Sequence, residues 1–206
     1  MADHQTAIRA ALRDRMRRRR ASVPDRRQRA GADAIVDRLV AFAVRGSWTT
    51  VLAYVAHAGE LDPAAAVDGL LDLGITVGLP RVHDRDLSFH RMDGDDSWES
   101  GAFGILTPPA SAPTVTPADA DAVLVPLVGF DDQGNRLGTG GGFYDRLLAD
   151  TTGPLRIGLA HDGQRVARLP IQAWDQHLDV IVTPTMTLWT THRSAADAHI
   201  RACRRP

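Results

Sequence analysis

Between Thr6 and Arg20 the apolar residues Ile8, Leu12 and Met16 recur at every fourth position with arginines around them, which is the spacing of one stripe on an amphipathic helix. Val23-Pro24-Asp25 interrupts the pattern. A second helix is predicted from Asp25 to about Val44, burying Ala34, Ile35, Leu39, Val40 and Phe42 and ending at Gly46. The period then changes: Val51 to Val55 is a short β-prone run bounded by polar residues and glycine, a core strand. Asp62-Pro63 marks a helix start, with Asp62 as the capping residue and Pro63 at the first helical position. That helix closes at Gly74, and Ile75 to Leu79 is the next strand. Strand, helix and strand of these lengths make a parallel crossover unit.

Leu87 to Met92 reads as an antiparallel excursion, and Asp93 to Ala118, rich in Asp, Ser, Gly and Pro, as a long surface loop. Val123 to Val128 is the most apolar segment and suits a central strand buried on both faces. A glycine-dense loop follows from Gly134 to Gly142, then a helix from Phe143 to Ala149, and strands at Leu155 to Ala160 and Asp179 to Thr183. The alternation predicts an α/β fold: an open, mostly parallel sheet flanked by helices, preceded by an N-terminal helical pair. Residues 1–190 are expected to form a single domain, with 191–206 a polar, basic tail to which no function is assigned.

Composition narrows the classes. The chain has 206 residues, 44% hydrophobic and 24% charged, which suffices for a buried core and excludes disorder as a description of the whole. One cysteine, Cys203, forms no internal disulfide and builds no thiolate metal site, which points to a reducing compartment. No apolar run approaches the roughly 18 residues of a membrane helix, and no secretory signal is legible, so a cytoplasmic protein without a membrane partner is expected. Net charge is −1, which gives the whole chain no pull toward nucleic acid. Locally the picture differs: Arg13, Arg15, Arg17, Arg18, Arg19 and Arg20 cluster, and lysine is absent, so cationic roles fall to arginine and histidine.

The chemistry concentrates in Gly134-Asn135-Arg136-Leu137-Gly138-Thr139-Gly140-Gly141-Gly142-Phe143-Tyr144-Asp145, directly after the most buried strand and directly before a helix. In open α/β sheets ligands gather at the carboxyl ends of strands. Four glycines in the five positions from Gly138 to Gly142 clear side chains away from backbone N–H groups, and the following helix adds its positive end, so the natural guest is a phosphate. Arg136 supplies a bidentate charge and Asp145 an oxygen ligand suited to Mg²⁺, which together suggest a magnesium nucleotide. The terminal Lys-Ser/Thr of a P-loop is missing, and Phe143 stands where a dinucleotide fingerprint wants glycine. A flexible bend without a ligand is the plainer alternative.

Residues 7 to 184 resemble the 5-formyltetrahydrofolate cyclo-ligases, also called 5,10-methenyltetrahydrofolate synthetases. The resemblance is carried by Gly129-Phe130-Asp131, Gly134 to Gly138 and Gly140 to Asp145. Weaker agreement comes from Arg9, Leu12-Arg13, Gly59-Glu60-Leu61-Asp62, Leu79-Pro80-Arg81, Phe103-Gly104-Ile105 and Trp174-Asp175. It implies a Rossmann-like sheet of the NagB/RpiA/CoA-transferase type and an ATP- and Mg²⁺-dependent ring closure of a folate. In that reaction the formyl oxygen attacks the γ-phosphate, the 10-position nitrogen traps the product, and ADP and phosphate leave. A monomer is expected.

Carried over residue by residue, the resemblance implies that Arg9, Arg13, Arg136, Leu137, Gly138, Thr139, Gly140, Gly141, Gly142, Phe143 and Tyr144 bind ATP. It implies that Val55, Glu60 and Phe103, with Thr139 to Phe143, bind the folate, that Arg136 and Tyr144 act in catalysis, and that Asp145 and Asp175 hold the metal. Family members usually carry lysine where Arg9 stands, and some carry basic residues where Thr139 and Gly141 stand, while glycine-only versions also occur. Plainer readings remain for several of these: a solvated basic face for Arg9 and Arg13, a loop acid for Glu60, and an aromatic pinning its loop for Phe103. Asp175, His177 and Asp179 alternate as on a strand, with His177 and Asp179 read as strand-edge residues. Two other functions are open, a non-catalytic folate- or nucleotide-binding module of the same fold and nucleic-acid binding through the arginine-rich N-terminus.

Overall fold

The computed structural model describes residues 2–92 and 97–190; the predicted tail, 191–206, and positions 93–96 of the predicted loop lie outside the described residues. Two helices, α1 (Ala2–Ala21) and α2 (Asp25–Gly46), open the chain, followed by β1 (Thr50–Leu52), α3 (Ala64–Asp72), β2 (Thr76–His83) and β3 (Asp86–His90). Three short strands come next, β4 (Glu99–Ser100), β5 (Leu106–Thr107) and β6 (Thr114–Val115). Then follow β7 (Ala122–Pro126), β8 (Gly129–Phe130), β9 (Arg136–Leu137), α4 (Phe143–Asp150), β10 (Leu155–Leu159), β11 (Val180–Val182) and β12 (Thr187–Trp189). The main sheet has eight strands in the order β12-β11-β10-β7-β1-β2-β3-β6. Pairing is parallel from β11 to β2 and antiparallel at both edges. β4 pairs with β5, and β8 with β9, as separate small ladders.

β7 explains the apolar run that marks it. Ala122 and Leu124 face one core with Ile35, Leu39, Phe42 and Leu70 of α2 and α3, while Val123 and Val125 face the other with Phe89, Phe130, Leu148 and Leu178. Burial on both faces removes the alternation a half-exposed strand would show. Each large apolar side chain so buried contributes about 1.5–3 kcal/mol. Among the described residues no helix is long and apolar enough to cross a membrane.

From β1 the chain moves to β2 on one side, then returns through β7, β10 and β11 on the other. β1 and β7 are neighbours, so the strand order reverses between them, and the crevice at their carboxyl ends is where open α/β sheets place ligands. The loop after β1 carries Glu60, and the segment after β7 carries the glycine loop.

Several local expectations shift. The inward face of α1 is not the stripe Ile8-Leu12-Met16: Met16 is buried against Gly129, but Ile8 is exposed, and Arg9 and Arg20 are buried instead. Side chains one and two helical turns from Met16 meet carboxylates and carbonyls there, so the arginines turn in. Ala34 of α2 faces water and Val40 is only half-buried. The left-handed residue ending α2 is Ser47, not Gly46, because the N–H groups of Ser47 and Trp48 close back on Val44 and Ala43. The strand predicted to Val55 stops at Leu52. Pro63, not Asp62, is the capping residue of α3, although Asp62 still accepts a hydrogen bond from the Ala64 N–H at 3.0 Å. The predicted loop 93–118 contains β4, β5 and β6, and β6 closes the sheet edge.

One buried carboxylate organises the turn between β8 and β9. Asp131, 1% exposed, accepts hydrogen bonds from the N–H groups of Gln133, Asn135 and Leu169 and from the Asn135 amide. Gly134 makes the turn at φ +82°, where a Cβ would also strike Thr190 and the Leu178 carbonyl. Asp131→Ala leaves four donors without their acceptor, and the expected loss is about 3 kcal/mol of unfolding free energy, read from chemical denaturation.

Candidate functional site

The inward arginines of α1 form a ladder. Arg9 donates to both oxygens of Asp175, at 2.5 and 3.0 Å, and to the Pro170 carbonyl at 2.7 Å. One turn on, the Arg13 Nε donates to the Gly138 carbonyl at 2.9 Å, and Arg17 donates to the Thr139 carbonyl at 2.9 Å. Arg20 reaches Glu60 at 3.5 Å. α1 thus lies across the carboxyl ends of the strands and touches both loops at the strand-order reversal. Burial lowers the pKa of Arg13, and repulsion from Arg9 and Arg17 adds to it. So much positive charge in one half-buried stripe favours an anion.

The glycine loop answers that charge. With the Gly138 and Thr139 carbonyls drawn to α1, trans peptide geometry turns the N–H groups of Thr139 and Gly140 to the other side. Among the described residues the backbone N–H groups from Thr139 to Asp145 have no acceptor. Gly142, at φ +70°, turns the chain into α4 without a side-chain cap. A Cβ on Gly141 would fall 2.6 Å from the Phe143 ring. Behind the loop Arg136 is buried and donates to Asp145 at 2.7 Å, while its Nε has no partner. Asp145 Oδ1 also accepts from the Gln176 N–H, which leaves Oδ2 outside these bonds. Free amides over a buried guanidinium make a cradle for phosphate oxygens.

Across the crevice, Ala58 and Gly59 both take left-handed conformations and so present Glu60. Its Oε2 accepts the His57 N–H at 3.1 Å. Burial raises the Glu60 carboxyl pKa, and Arg20 only partly opposes this. Tyr54 donates its hydroxyl to the Leu61 carbonyl. The Tyr144 hydroxyl is buried without a partner and its pKa is pushed far up, first by burial and then by the Glu60 charge, so it stays a proton donor. Val55 is half-buried and packs on the same core as Tyr144. Phe103 is exposed in a left-handed conformation and meets the Phe143 ring edge-on at 6.4 Å. Arg146 lies over that ring at 5.3 Å.

The structure therefore groups Arg9, Arg13, Arg136, Asp145 and Asp175 with the glycine loop, and sets Glu60 and Tyr144 beside them. Asp175 lies in a turn, not on a strand; both of its oxygens are taken, by Arg9 and by the Gln172 N–H. Asp179 is buried and accepts the Arg156 N–H at 2.8 Å. Among the described residues no three His, Cys, Asp or Glu side chains are placed to hold a metal by themselves. Arg17 and Arg20 escaped the motif reading, although they continue the Arg9–Arg13 stripe at helical spacing, and Asp131 stood in a quoted motif without a role assigned to it. Asp175→Ala strands the Arg9 guanidinium, 10% exposed, without its carboxylate. The expected cost is about 3 kcal/mol, seen as a lowered thermal midpoint.

Residues 5–184 match the model of the 5-formyltetrahydrofolate cyclo-ligase family. The chain is 35% identical over 176 residues to the 5-formyltetrahydrofolate cyclo-ligase of Escherichia coli strain K12, covering 82% of this chain and 95% of that one. It is 31% identical to the enzyme of the same name from Mycolicibacterium smegmatis, covering 84% and 92%. The NMR structure of Aquifex aeolicus 5,10-methenyltetrahydrofolate synthetase superposes with a TM-score of 0.80 at 30% identity, over 93% of this chain and 98% of that one. The synthetase structure from Mycoplasma pneumoniae gives 0.71 at 25% identity, over 85% and 98%. With the match running from α1 through the glycine loop to the end of β11, this chain belongs to the 5-formyltetrahydrofolate cyclo-ligase family.

Proposed function

We propose that this chain uses ATP and magnesium to close 5-formyltetrahydrofolate to 5,10-methenyltetrahydrofolate, releasing ADP and phosphate. The observation that carries this reading is the arginine ladder. A single helix face binds the glycine loop and Glu60 together, so a phosphate donor and a pterin lie side by side.

The residues divide the work as follows. The free N–H groups from Thr139 to Phe143, with Arg13 and Arg136, hold the triphosphate. Phosphoryl transfer asks mainly for position and charge, and a fixed set of amides and guanidiniums provides both. Glu60 offers a buried carboxylate to the N–H edge of the pterin, and Val55 and Phe103 supply apolar contact. The formyl oxygen then attacks the terminal phosphorus and ADP departs. The 10-position nitrogen adds to the activated carbon, and phosphate leaves as the ring closes. Tyr144, kept protonated, donates a hydrogen bond to a reacting oxygen. Magnesium, when bound with the triphosphate, neutralises charge on its oxygens; Asp145 fits it through the free Oδ2, whereas Asp175 would have to release Arg9 or the Gln172 amide.

Formation of the methenyl product, followed by its near-ultraviolet absorbance with Mg-ATP, tests the reading directly, and no absorbance change in the parent protein would refute it. Arg136→Ala and Asp145→Asn, the second keeping an oxygen against Arg136, are expected to remain folded and to lose about 100-fold or more in turnover. A raised Glu60 pKa gives a second test. Its anion, and with it folate binding, is lost as pH falls through a value above the ordinary glutamate figure of about 4.3. Glu60→Gln should weaken folate binding about tenfold or more and abolish that acid limb.

A further inference from the structure

Helix α1 works as a ruler for the whole site. At its C-terminal end Arg20 marks Glu60; in its middle Arg17 and Arg13 mark the glycine loop; toward its N-terminus Arg9 marks Asp175. Arg9 and Arg20 are eleven residues apart, about 16 Å along the axis. Under the function proposed above, on which this inference rests, the terminal phosphate faces the pterin at the Arg20 end. The nucleoside of the same ATP then extends toward the Arg9 end.

A stapled turn waits there. Gln172 and Asp175 close it with hydrogen bonds of 3.1 and 2.8 Å between their backbone and side chain atoms. Arg9 holds it to α1 through Asp175 and Pro170, the Gln172 amide adds a bond to Gln5, and the Gln176 N–H ties its far side to Asp145 of α4. Trp174 sits in this turn with 66% of its surface exposed, and Ile171 beside it is 49% exposed. So large an indole left in water on a rigidly held turn, next to a phosphate cradle, suits a flat apolar guest that arrives with the phosphates. The other exposed ring at the site, Phe103, is already set edge-on against Phe143, which Arg146 covers.

We propose that Trp174 is the stacking platform for the adenine base of ATP, with Ile171 as its apolar flank. Stacking on an exposed indole is a π-face contact that needs no hydrogen-bond readout. Trp174→Leu is expected to raise the KM for ATP about tenfold, leaving kcat and the KM for folate within about twofold, while Trp174→Phe keeps most of the parent affinity. Tryptophan emission of the full-length parent should be quenched by ADP but not by inorganic tripolyphosphate, which has no base, and the ADP effect should vanish in Trp174→Leu. An unchanged KM for ATP in Trp174→Leu, or equal quenching by tripolyphosphate and ADP, overturns the assignment while the cyclo-ligase reading stands. If the parent shows no turnover the functional reading fails, and the ADP titration still decides Trp174 alone.

Discussion

Charge drawn inward on one helix face is the constraint around which this molecule is arranged. Arg9, Arg13 and Arg20 turn toward the protein body, and a buried guanidinium is tolerable only where oxygens meet it. Asp175, the Gly138 carbonyl and Glu60 are those oxygens, and each belongs to a different connection of the sheet. The same contacts that satisfy α1 therefore fix three loops relative to one another. Arg17, more exposed, adds the Thr139 carbonyl to the set.

Holding the loop by its carbonyls has a consequence for its amides. A peptide unit cannot point both of its polar groups the same way, so every carbonyl drawn toward α1 turns an N–H toward the crevice. Preorganised donors of this kind need no rearrangement when charge arrives, which is the property the phosphoryl transfer proposed above would draw on. Glycine at Gly140, Gly141 and Gly142 keeps that surface bare. The buried Arg136–Asp145 pair sits behind it and ties the loop to the first turn of α4.

Crevice position follows from topology. Strand order reverses between β1 and β7, so their following loops diverge and leave room between them. Tyr144 and Glu60 come from opposite sides of that gap, and burial moves both away from their ordinary titration ranges in the same upward sense. One consequence is chemical: the phenol remains a donor, and the carboxylate is poised nearer neutrality than a solvated glutamate.

Much of the architecture was legible in the chain. The doubly buried run at β7, the crossover through α3, the glycine loop before α4 and the alternation of strands and helices follow from periodicity and turn chemistry, because those signals are local. Motif resemblance brought Glu60, Arg136 and Asp145 into view in the same way. What escaped was every property that depends on partners distant in sequence. Ile8 belongs to a regular apolar stripe, yet it faces water and Arg9 faces in, since Asp175 lies 166 positions away and no window on the helix contains it. Asp131 stands in a quoted motif, yet its part as a buried acceptor shows only when Leu169 closes its set of donors. Sequence by itself marked the helices, the longer strands of the main sheet and the glycine loop; only the tertiary structure decided the short strands β4, β5, β6, β8, β9 and β12, which face of α1 is inside and what each buried charge meets, because short pairings and burial are set by the groups that other segments bring.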